Sequence, residues 1–205
     1  DRNRNGELDP YEDARLPLDT RVEDLLSRMT IEEKIHLLKG SGLASALGRT
    51  EPGEGIPGAV GTIVPTPRLG IPTVYLSDGP AGLRIEPSRE GEERTYYCTA
   101  FPIATLLAST WNAPLVTDVG EAMGNEALEY GLDVILGPGA NIHRHPFCGR
   151  NFEYYSEDPA LTGYMGAAMV NGIESNGVGT SVKHFVANNQ ETQRNINNAL
   201  VPERA

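Results

Sequence analysis

The sequence is poor in cysteine and tryptophan, short of positive charge and free of long apolar runs. Its 205 residues include 2 cysteines, 1 tryptophan, and 17 Lys and Arg against 28 Asp and Glu, for a formal net charge of −11. This excess of negative charge argues against a nucleic-acid partner and against an anionic membrane surface. Because no apolar run approaches the ~20 residues that a transmembrane helix needs, no membrane span is expected.

The two cysteines do not show the spacing of a metal site. Cys98 and Cys148 stand 50 positions apart without a Cys-x-x-Cys pair, which argues against zinc. Each lies next to a loop that is a candidate for the functional site. The two side chains therefore form either a disulfide or a pair of buried thiols, and the spacing does not choose between them.

Residues 1–15 carry the pattern of an EF-hand calcium loop. The sequence Asp-x-Asn-x-Asn-Gly-x-Leu-Asp-x-x-Glu is complete at the start of the chain, with Gly6 where such a loop turns sharply. The oxygen ligands for Ca²⁺ would come from Asp1, Asn3, Asn5, the carbonyl of Glu7, Asp9 and Glu12. The alternative is a solvated acidic N-terminus, which rarely reproduces this spacing. We expect a structural, extracellular-type site and a secreted or periplasmic protein, although no signal peptide is visible.

Helix and strand signals alternate along residues 16–205. Two capping boxes, Thr20-x-x-Glu23 and Thr30-x-x-Glu33, predict helix starts, and the Gly- and Pro-rich stretch 41–70 predicts a long loop. Strands are predicted at 71–76, 132–136 and 178–185, a short helix or strand at 101–108, and helices at 114–130 and from 159 to the Asn-Gly stop at 176. Repeated strand–helix alternation predicts an α/β fold with a parallel sheet.

Polar residues gather where the predicted strands end. Asp78 follows the first strand, Asn141 lies just after the second, and Lys183 and His184 stand at the end of the third. In α/β barrels this end of the strands assembles the active site. Donors and carboxylates that converge there suit a polyhydroxylated ligand, since each hydroxyl needs a partner when it leaves water.

Three motifs, in this order, resemble the N-terminal domain of glycoside hydrolase family 3, on the β-glucosidase side. They are Leu76-Ser77-Asp78-Gly79-Pro80-Ala81-Gly82-Leu83-Arg84, then Gly149-Arg150-Asn151-Phe152-Glu153-Tyr154-Tyr155-Ser156-Glu157-Asp158-Pro159, then Lys183-His184-Phe185. The resemblance runs from about Leu16 to the end of the chain. It implies a (β/α)8 TIM-barrel-like domain preceded by the calcium loop. Because such a barrel needs about 250 residues, this chain would hold its N-terminal part.

The resemblance also implies which residues bind the sugar. Asp78 would accept hydrogen bonds from hydroxyls at the far side of the ring, while Arg150, Lys183 and His184 would donate to hydroxyls. A set of one carboxylate and several cationic donors suits a hexose, because each hydroxyl both donates and accepts. Arg84 is a weaker addition to this set.

Each of these residues also has a structural explanation. Asp78 precedes Gly-Pro, where Asp is favoured in any turn. Arg150 could form an ion pair with Glu153 or Glu157, and Arg84 could pair with a loop acid. The joint occurrence of the residues in the family's order favours the functional interpretation.

Neither catalytic carboxyl group of a retaining glycosidase is assigned within this chain. Such enzymes use two carboxyl groups about 5–5.5 Å apart, one as nucleophile and one as acid/base. In the family the nucleophile is an aspartate in a Ser-Asp-Trp-like motif after the Lys-His strand, and no such motif occurs between Lys183 and Ala205. The acid/base comes from a later domain. We therefore expect the remainder of the enzyme chain, or a second chain, to complete the barrel and the site.

The expected function is hydrolysis of terminal non-reducing β-D-glucosyl residues of β-glucosides or oligosaccharides by a retaining mechanism, without an organic cofactor. One alternative is a calcium-stabilised carbohydrate-binding module without catalysis, although an open partial barrel would expose strand edges. The other is a β-N-acetylglucosaminidase of the same family. Those enzymes carry a Lys-His-Phe-Pro-Gly-His-Gly-like loop, which Val186-Ala187-Asn188-Asn189 replaces here.

Overall fold

The computed structural model describes residues 1–38, 40 and 55–203. Its helices are α1 (Leu18–Arg28), α2 (Ile31–Leu38), α3 (Ala104–Ser109), α4 (Ala113–Glu129) and α5 (Pro159–Glu174), with short 3-10 helices at Pro10–Glu12, Pro67–Leu69 and Asn151–Glu153. Its strands are β1 (Gly61–Ile63), β2 (Val74–Asp78), β3 (Val134–Leu136) and β4 (Gly179–Thr180). In these ranges no helix is long and apolar enough to cross a membrane.

The four strands form one mixed sheet in the order β1-β2-β3-β4. β1 runs antiparallel to β2, whereas β2, β3 and β4 run parallel to one another. The register sets Asp78 opposite Leu136, and beyond β4 a further bridge pairs Lys183 with Gly139. The carboxyl ends of three parallel strands therefore meet at one edge of the sheet, where α/β folds place their functional residues.

One apolar cluster joins helices α4 and α5 to the sheet. α4 contributes Val116 and Met123, α5 contributes Met169 and Ile173, and β3 contributes Ile135; all five are almost entirely buried. The spacing of three and four residues along both helices is the pattern from which the sequence predicts them. Burial of this row orients both helices with their apolar faces toward the sheet.

Glycines let α4 and α5 approach until backbone meets backbone. A Cβ atom at Gly172 of α5 would lie 2.2 Å from the carbonyl oxygen of Thr117 and 3.0 Å from Cα of Gly120. A Cβ atom at Gly124 would lie 2.7 Å from the carbonyl oxygen of Ile173. Because side-chain carbons do not reach such distances, the crossing of the two helices requires glycine at these positions.

The strand predictions need correction more than the helix predictions. The predicted helices at 114–130 and from 159 are confirmed within about one residue, and 101–108 contains α3. The predicted strand 178–185 is too long, because β4 ends at Thr180 and Phe185 is 99% exposed. The predicted loop at 41–70 is wrong for its second half, which holds β1 and a 3-10 helix. Residues 41–54 lie outside the described residues.

Of the two predicted capping boxes, one is present. The Glu33 N–H donates to the Thr30 hydroxyl at 3.2 Å, and the Thr30 N–H donates to the Glu33 carboxylate at 2.9 Å. The box at Thr20 is wrong, because α1 already begins at Leu18, directly after Pro17. Proline has a fixed φ and no N–H to satisfy, so it can precede a helix without a side-chain cap.

The N-terminal segment is bound to the rest of the molecule. Arg28 of α1 contacts the Asp9 carboxylate at 2.9 Å, and the Tyr11 hydroxyl donates to the carbonyl of Leu69 at 3.0 Å. Asp9 and Glu12 are both buried. The segment predicted as a calcium loop is therefore packed between α1 and the turn that precedes β2.

Both cysteines are free thiols, which excludes the disulfide that the sequence left open. Cys148 is buried, whereas Cys98 is half-buried. Burial raises the pKa of the Cys98 thiol, and the neighbouring Glu126 carboxylate raises it further. A thiol whose pKa is raised carries little thiolate at neutral pH, so Cys98 is not activated as a nucleophile.

Candidate active site

A short ion pair joins the end of β2 to the segment after β4. Nζ of Lys183 donates to Oδ1 of Asp78 at 2.5 Å, across 105 residues of sequence. The Lys183 side chain is 16% exposed and the Asp78 side chain 33% exposed, so the pair is half-buried but open to a ligand. Burial alone would raise the pKa of Asp78, but the hydrogen bond and charge of Lys183 outweigh it and lower that pKa. Asp78 is therefore ionised at neutral pH.

Backbone pairing fixes Lys183 and His184 against the loop that follows β3. The Lys183 N–H donates to the carbonyl of Pro138 at 3.0 Å, and its own carbonyl accepts from the Ala140 N–H at 2.8 Å. The buried side chain of Asn141 continues this row of hydrogen bonds by binding the backbone of His184. Its Oδ1 accepts from the His184 N–H at 2.7 Å, and its Nδ2 donates to the His184 carbonyl at 3.0 Å.

The imidazole of His184 is held by the buried side chain of Tyr154. Its ring meets that of Tyr154 edge-on, with centroids 5.9 Å apart, and Nδ1 bonds to the Tyr154 hydroxyl at 3.0 Å. Nδ2 of Asn188 donates to the same hydroxyl at 2.8 Å and to Oε1 of Glu191 at 2.9 Å. A chain of side-chain hydrogen bonds therefore runs from Glu191 to His184.

Arg150 is held by carboxylates. Its Nε and Nη2 donate to the two carboxylate oxygens of Glu153 at 2.7 and 2.6 Å, and Nη1 lies 4.0 Å from Oε1 of Glu191. The bidentate bond to Glu153, above all, raises the pKa of Arg150. The ion pair with Glu153, which the sequence left as an alternative, is present. Nη1 makes no hydrogen bond to any residue that the structure describes.

Arg84 lies near Asp78 through its backbone rather than its side chain. Its N–H donates to the carbonyl of Asp78 at 3.1 Å and to the Ser77 hydroxyl at 3.2 Å. Its charge helps to lower the pKa of Asp78. The guanidinium is exposed and forms no ion pair within the described part of the chain.

The predicted residues form two adjoining groups rather than one compact cluster. Arg150 and His184 line an open cleft of about 430 Å³, whose other walls come from the segment 185–199. Asp78 and Lys183 form the second group, connected to the first through the Lys183–His184 peptide. Both groups lie at the carboxyl ends of the parallel strands.

Four further residues complete this arrangement. The sequence analysis names Asn141 only among the polar residues at the strand ends, and it gives no role in the site to Tyr154, Asn188 and Glu191. All four lie in or directly beside the polar strand-end segments and motifs that the sequence analysis singles out. The bonds from Asn141 and Tyr154 to His184, and from Asn188 to Tyr154, reach partners 30 to 43 positions away, whereas Glu191 bonds to Asn188 and Arg194, each three positions away. The usable signal is chemical: a buried tyrosine hydroxyl or asparagine amide needs a hydrogen-bond partner.

The N-terminal loop folds onto its own side chains. The Asp1 carboxylate accepts from the N–H groups of Asn5 and Gly6 at 3.1 and 2.8 Å, and Gly6 has the positive φ of 90° that a sharp turn requires. The Glu12 carboxylate accepts from the Asp9 N–H at 3.1 Å. Within the described ranges, no group of three or more His, Cys, Asp or Glu side chains is arranged to hold a metal. The predicted turn is present, and calcium stays a prediction.

The sequence and the fold match proteins of known activity. Residues 43–204 match the sequence profile of the glycosyl hydrolase family 3 N terminal domain. The chain is 46% identical over 184 residues to Beta-glucosidase A of Butyrivibrio fibrisolvens, a match that covers 90% of this chain and 21% of that protein. It is 49% identical over 140 residues to an Exo-alpha-(1->6)-L-arabinopyranosidase of Bifidobacterium longum, covering 66% and 18%.

A solved structure matches as well. Beta-glucosidase 3B from Thermotoga neapolitana, solved in complex with glucose, is 56% identical and superposes with a TM-score of 0.79, over 84% of this chain and 24% of that chain. The chain thus spans about a fifth to a quarter of the length of these relatives.

Proposed function

The chain belongs to glycosyl hydrolase family 3, and on that premise we propose that it supplies the sugar-binding half of a retaining β-glucosidase. The substrate class is a terminal non-reducing β-D-glucosyl residue of a β-glucoside or oligosaccharide. The mixed sheet is then part of a (β/α)8 barrel, which the remainder of the enzyme chain or a second chain completes.

The short Asp78–Lys183 pair carries this proposal. A half-buried carboxylate beside a half-buried ammonium offers an acceptor and donors within one sugar ring's width, and both groups retain access to solvent. His184 and Nη1 of Arg150 add donors from the neighbouring cleft. Charge-assisted bonds of this kind are stronger than neutral ones, so they can replace the hydration of several hydroxyls.

The catalytic carboxyl groups are assigned to the remainder of the enzyme. Hydrolysis with retention needs a nucleophile and an acid/base about 5–5.5 Å apart. Glu191 is a poor candidate for either, because Asn188 and Arg194 already bond to its two oxygens at 2.9 and 3.1 Å. Glu153 is likewise occupied by the bidentate bond from Arg150. The residues of this chain bind and orient the sugar, and the nucleophile and the acid/base come from the remainder of the enzyme.

The test uses the full-length enzyme and an aryl β-D-glucoside. Asp78→Asn and Lys183→Met should each lower kcat/KM by at least about tenfold, because each removes a charged partner from a sugar hydroxyl. Asp118→Asn on the exposed face of α4 is the control, since Asp118 has no side-chain hydrogen bond or ion pair with a described residue. Unchanged kcat/KM in both site variants would refute the proposed site.

The substrate class is tested with the same enzyme. Aryl α-L-arabinopyranoside and aryl β-N-acetylglucosaminide are compared with aryl β-D-glucoside under identical conditions. The proposal expects the highest kcat/KM for the glucoside. A higher kcat/KM for the arabinopyranoside would indicate the substrate preference named for the relative from Bifidobacterium longum instead. A protein that binds sugars but hydrolyses none of the three substrates would be a carbohydrate-binding module.

We also propose that the loop from Asp1 to Glu12 binds one Ca²⁺, which suits a secreted or periplasmic location. Its donors are all oxygen, the type that calcium prefers. The amide groups of Asn3 and Asn5 both donate to Oδ2 of Asp9, at 2.7 and 2.8 Å, so three of the proposed ligand side chains already converge. Calcium would replace these internal bonds as the group that holds the loop together.

The calcium proposal is tested by comparing thermal unfolding in calcium and in chelator. Calcium should raise the Tm of the wild-type protein, and calorimetry should show one ion bound per chain. Asp9→Ala should lower the Tm in both buffers, since it also removes the contact with Arg28, but it should abolish the difference between them. Equal Tm values for the wild type in calcium and chelator would refute the site.

A further inference from the structure

We propose that Glu191, Asn188 and Tyr154 act as positioning residues that hold His184 in the neutral tautomer with its proton on Nε2. His184 then presents an N–H donor, never a lone pair, to the cleft. The tautomer follows from hydrogen bonds inside the protein. That this donor meets a sugar hydroxyl rests on the proposed function.

The orientation of the Asn188 amide follows from its two contacts. One atom of that amide contacts both the Tyr154 hydroxyl and Oε1 of Glu191. Burial alone would raise the pKa of Glu191, but the bond from Asn188 and the charge of Arg150 outweigh it and lower that pKa. An ionised carboxylate can only accept, so the shared atom must be the NH₂ nitrogen. Asn188 therefore donates to Tyr154.

The direction of the Tyr154 hydroxyl follows from its two partners. Tyr154 is fully buried, and in the described part of the chain its hydroxyl has two partners, Asn188 and Nδ1 of His184. Because Asn188 uses the oxygen as an acceptor, the hydroxyl proton has only Nδ1 as its acceptor. A neutral imidazole that accepts at Nδ1 carries its proton on Nε2.

Asn141 does not reverse this assignment. Its Oδ1 lies 3.4 Å from Nδ1 of His184, which would be the partner of a protonated Nδ1. That oxygen already accepts from the His184 backbone N–H at 2.7 Å, and the longer contact exceeds an ordinary hydrogen bond. A protonated Nδ1 would also leave the buried Tyr154 proton without an acceptor, which is the costlier arrangement.

The charges around His184 favour its neutral form. Burial lowers the pKa of His184, and the cations Arg150 and Lys183 lower it further. The carboxylates Glu153 and Glu191 act in the opposite direction without reversing the shift. Nε2 has no hydrogen-bond partner among the described residues, and His184 lines the cleft. The protonated nitrogen is therefore the one available to a ligand.

The experiment is ¹⁵N NMR of histidine-labelled full-length enzyme without sugar. The signals of His184 are assigned by their loss in His184→Asn. The proposal expects, at neutral pH, an unprotonated Nδ1 and a protonated Nε2. A protonated Nδ1 in the wild type would overturn it, whatever any variant does.

Variants test the network itself. Tyr154→Phe should raise the pKa of His184 and mix its tautomers, because it removes the donor to Nδ1. Glu191→Gln should mix the tautomers, because a neutral amide allows the Asn188 amide to rotate. Tyr155→Phe is the matched control: Tyr155 is also buried, and its hydroxyl bonds to no described residue. Identical ¹⁵N shifts in Tyr154→Phe and Tyr155→Phe would overturn the proposal.

Activity separates this inference from the proposed function. Tyr154→Phe should lower kcat/KM for the aryl β-D-glucoside by about tenfold, with Tyr155→Phe unchanged. If the tautomer is as expected but Tyr154→Phe retains full activity, the network stands and its role toward the sugar is overturned. In that case, loss of activity in the Asp78 and Lys183 variants would still support the proposed function.

Discussion

Replacing Gly172 by alanine tests whether the close crossing of α4 and α5 depends on glycine at this position. The new Cβ would lie 2.2 Å from the Thr117 carbonyl oxygen, so the helices would have to separate by about 1.2 Å to reach an ordinary contact of 3.4 Å. Its nearest neighbours are backbone atoms, which cannot rotate away. Overpacking of this kind costs about 1–3 kcal/mol, and the helix propensity of alanine returns about 1 kcal/mol. We expect a net loss of up to about 2 kcal/mol, the difference between these two effects.

Gly163→Ala on the same helix is the matched control. A Cβ atom added there would have no other atom within 4 Å, so the substitution should stabilise α5 by about 0.5–1 kcal/mol. Hydrogen–deuterium exchange of peptides from α4 and α5 in the full-length enzyme measures the local opening free energy for both variants. Equal protection of these peptides in Gly172→Ala and Gly163→Ala would refute the reasoning.

Two further predictions concern the site. Arg150→Lys should lower kcat/KM for an aryl β-D-glucoside by about tenfold, because an ammonium cannot form the bidentate bond to Glu153. Arg144→Lys on an exposed loop is the control and should leave kcat/KM unchanged. Equal kcat/KM values for the two variants would contradict the role of the bidentate bond. Because the folded-state pKa of Asp78 is lowered, its stabilisation is fully present above the ordinary value of 3.8 and is lost as the pH falls through the folded pKa. The difference in unfolding free energy between the wild type and Asp78→Asn should therefore shrink on acidification below about pH 3.8, and a constant difference would argue against the ion pair.

The helices were predictable because their signals are local. Apolar rows at steps of three and four define α4 and α5, and proline in the first turn marks where each begins. Strand β1 was not predictable, since three residues among glycines and prolines carry no alternation. Its antiparallel pairing with β2 depends on the tertiary fold, which strand–helix alternation does not describe.

The site was predictable in part for a related reason. Asp78, Lys183 and His184 stand at strand ends, and parallel strands bring such ends together whatever lies between them. The bonds from Asn188 to Tyr154 and between Tyr154 and His184 depend on side-chain placement within a buried space. Residue type alone shows that these groups need partners, but only coordinates show which partners they find.

The pairing of the segment after β4 has a consequence for how this region tolerates change. Backbone bonds to the loop after β3 fix this segment, so a slip of one residue would move Lys183 and His184 away from the partners that hold them. Only residues 175–178 connect α5 to β4, and the helix crossing leaves α5 no freedom to absorb a shift. The length of this connection is therefore constrained, as is its composition at buried Val178 and at Gly177 with its positive φ. A one-residue deletion there should inactivate the enzyme more completely than any single substitution within it.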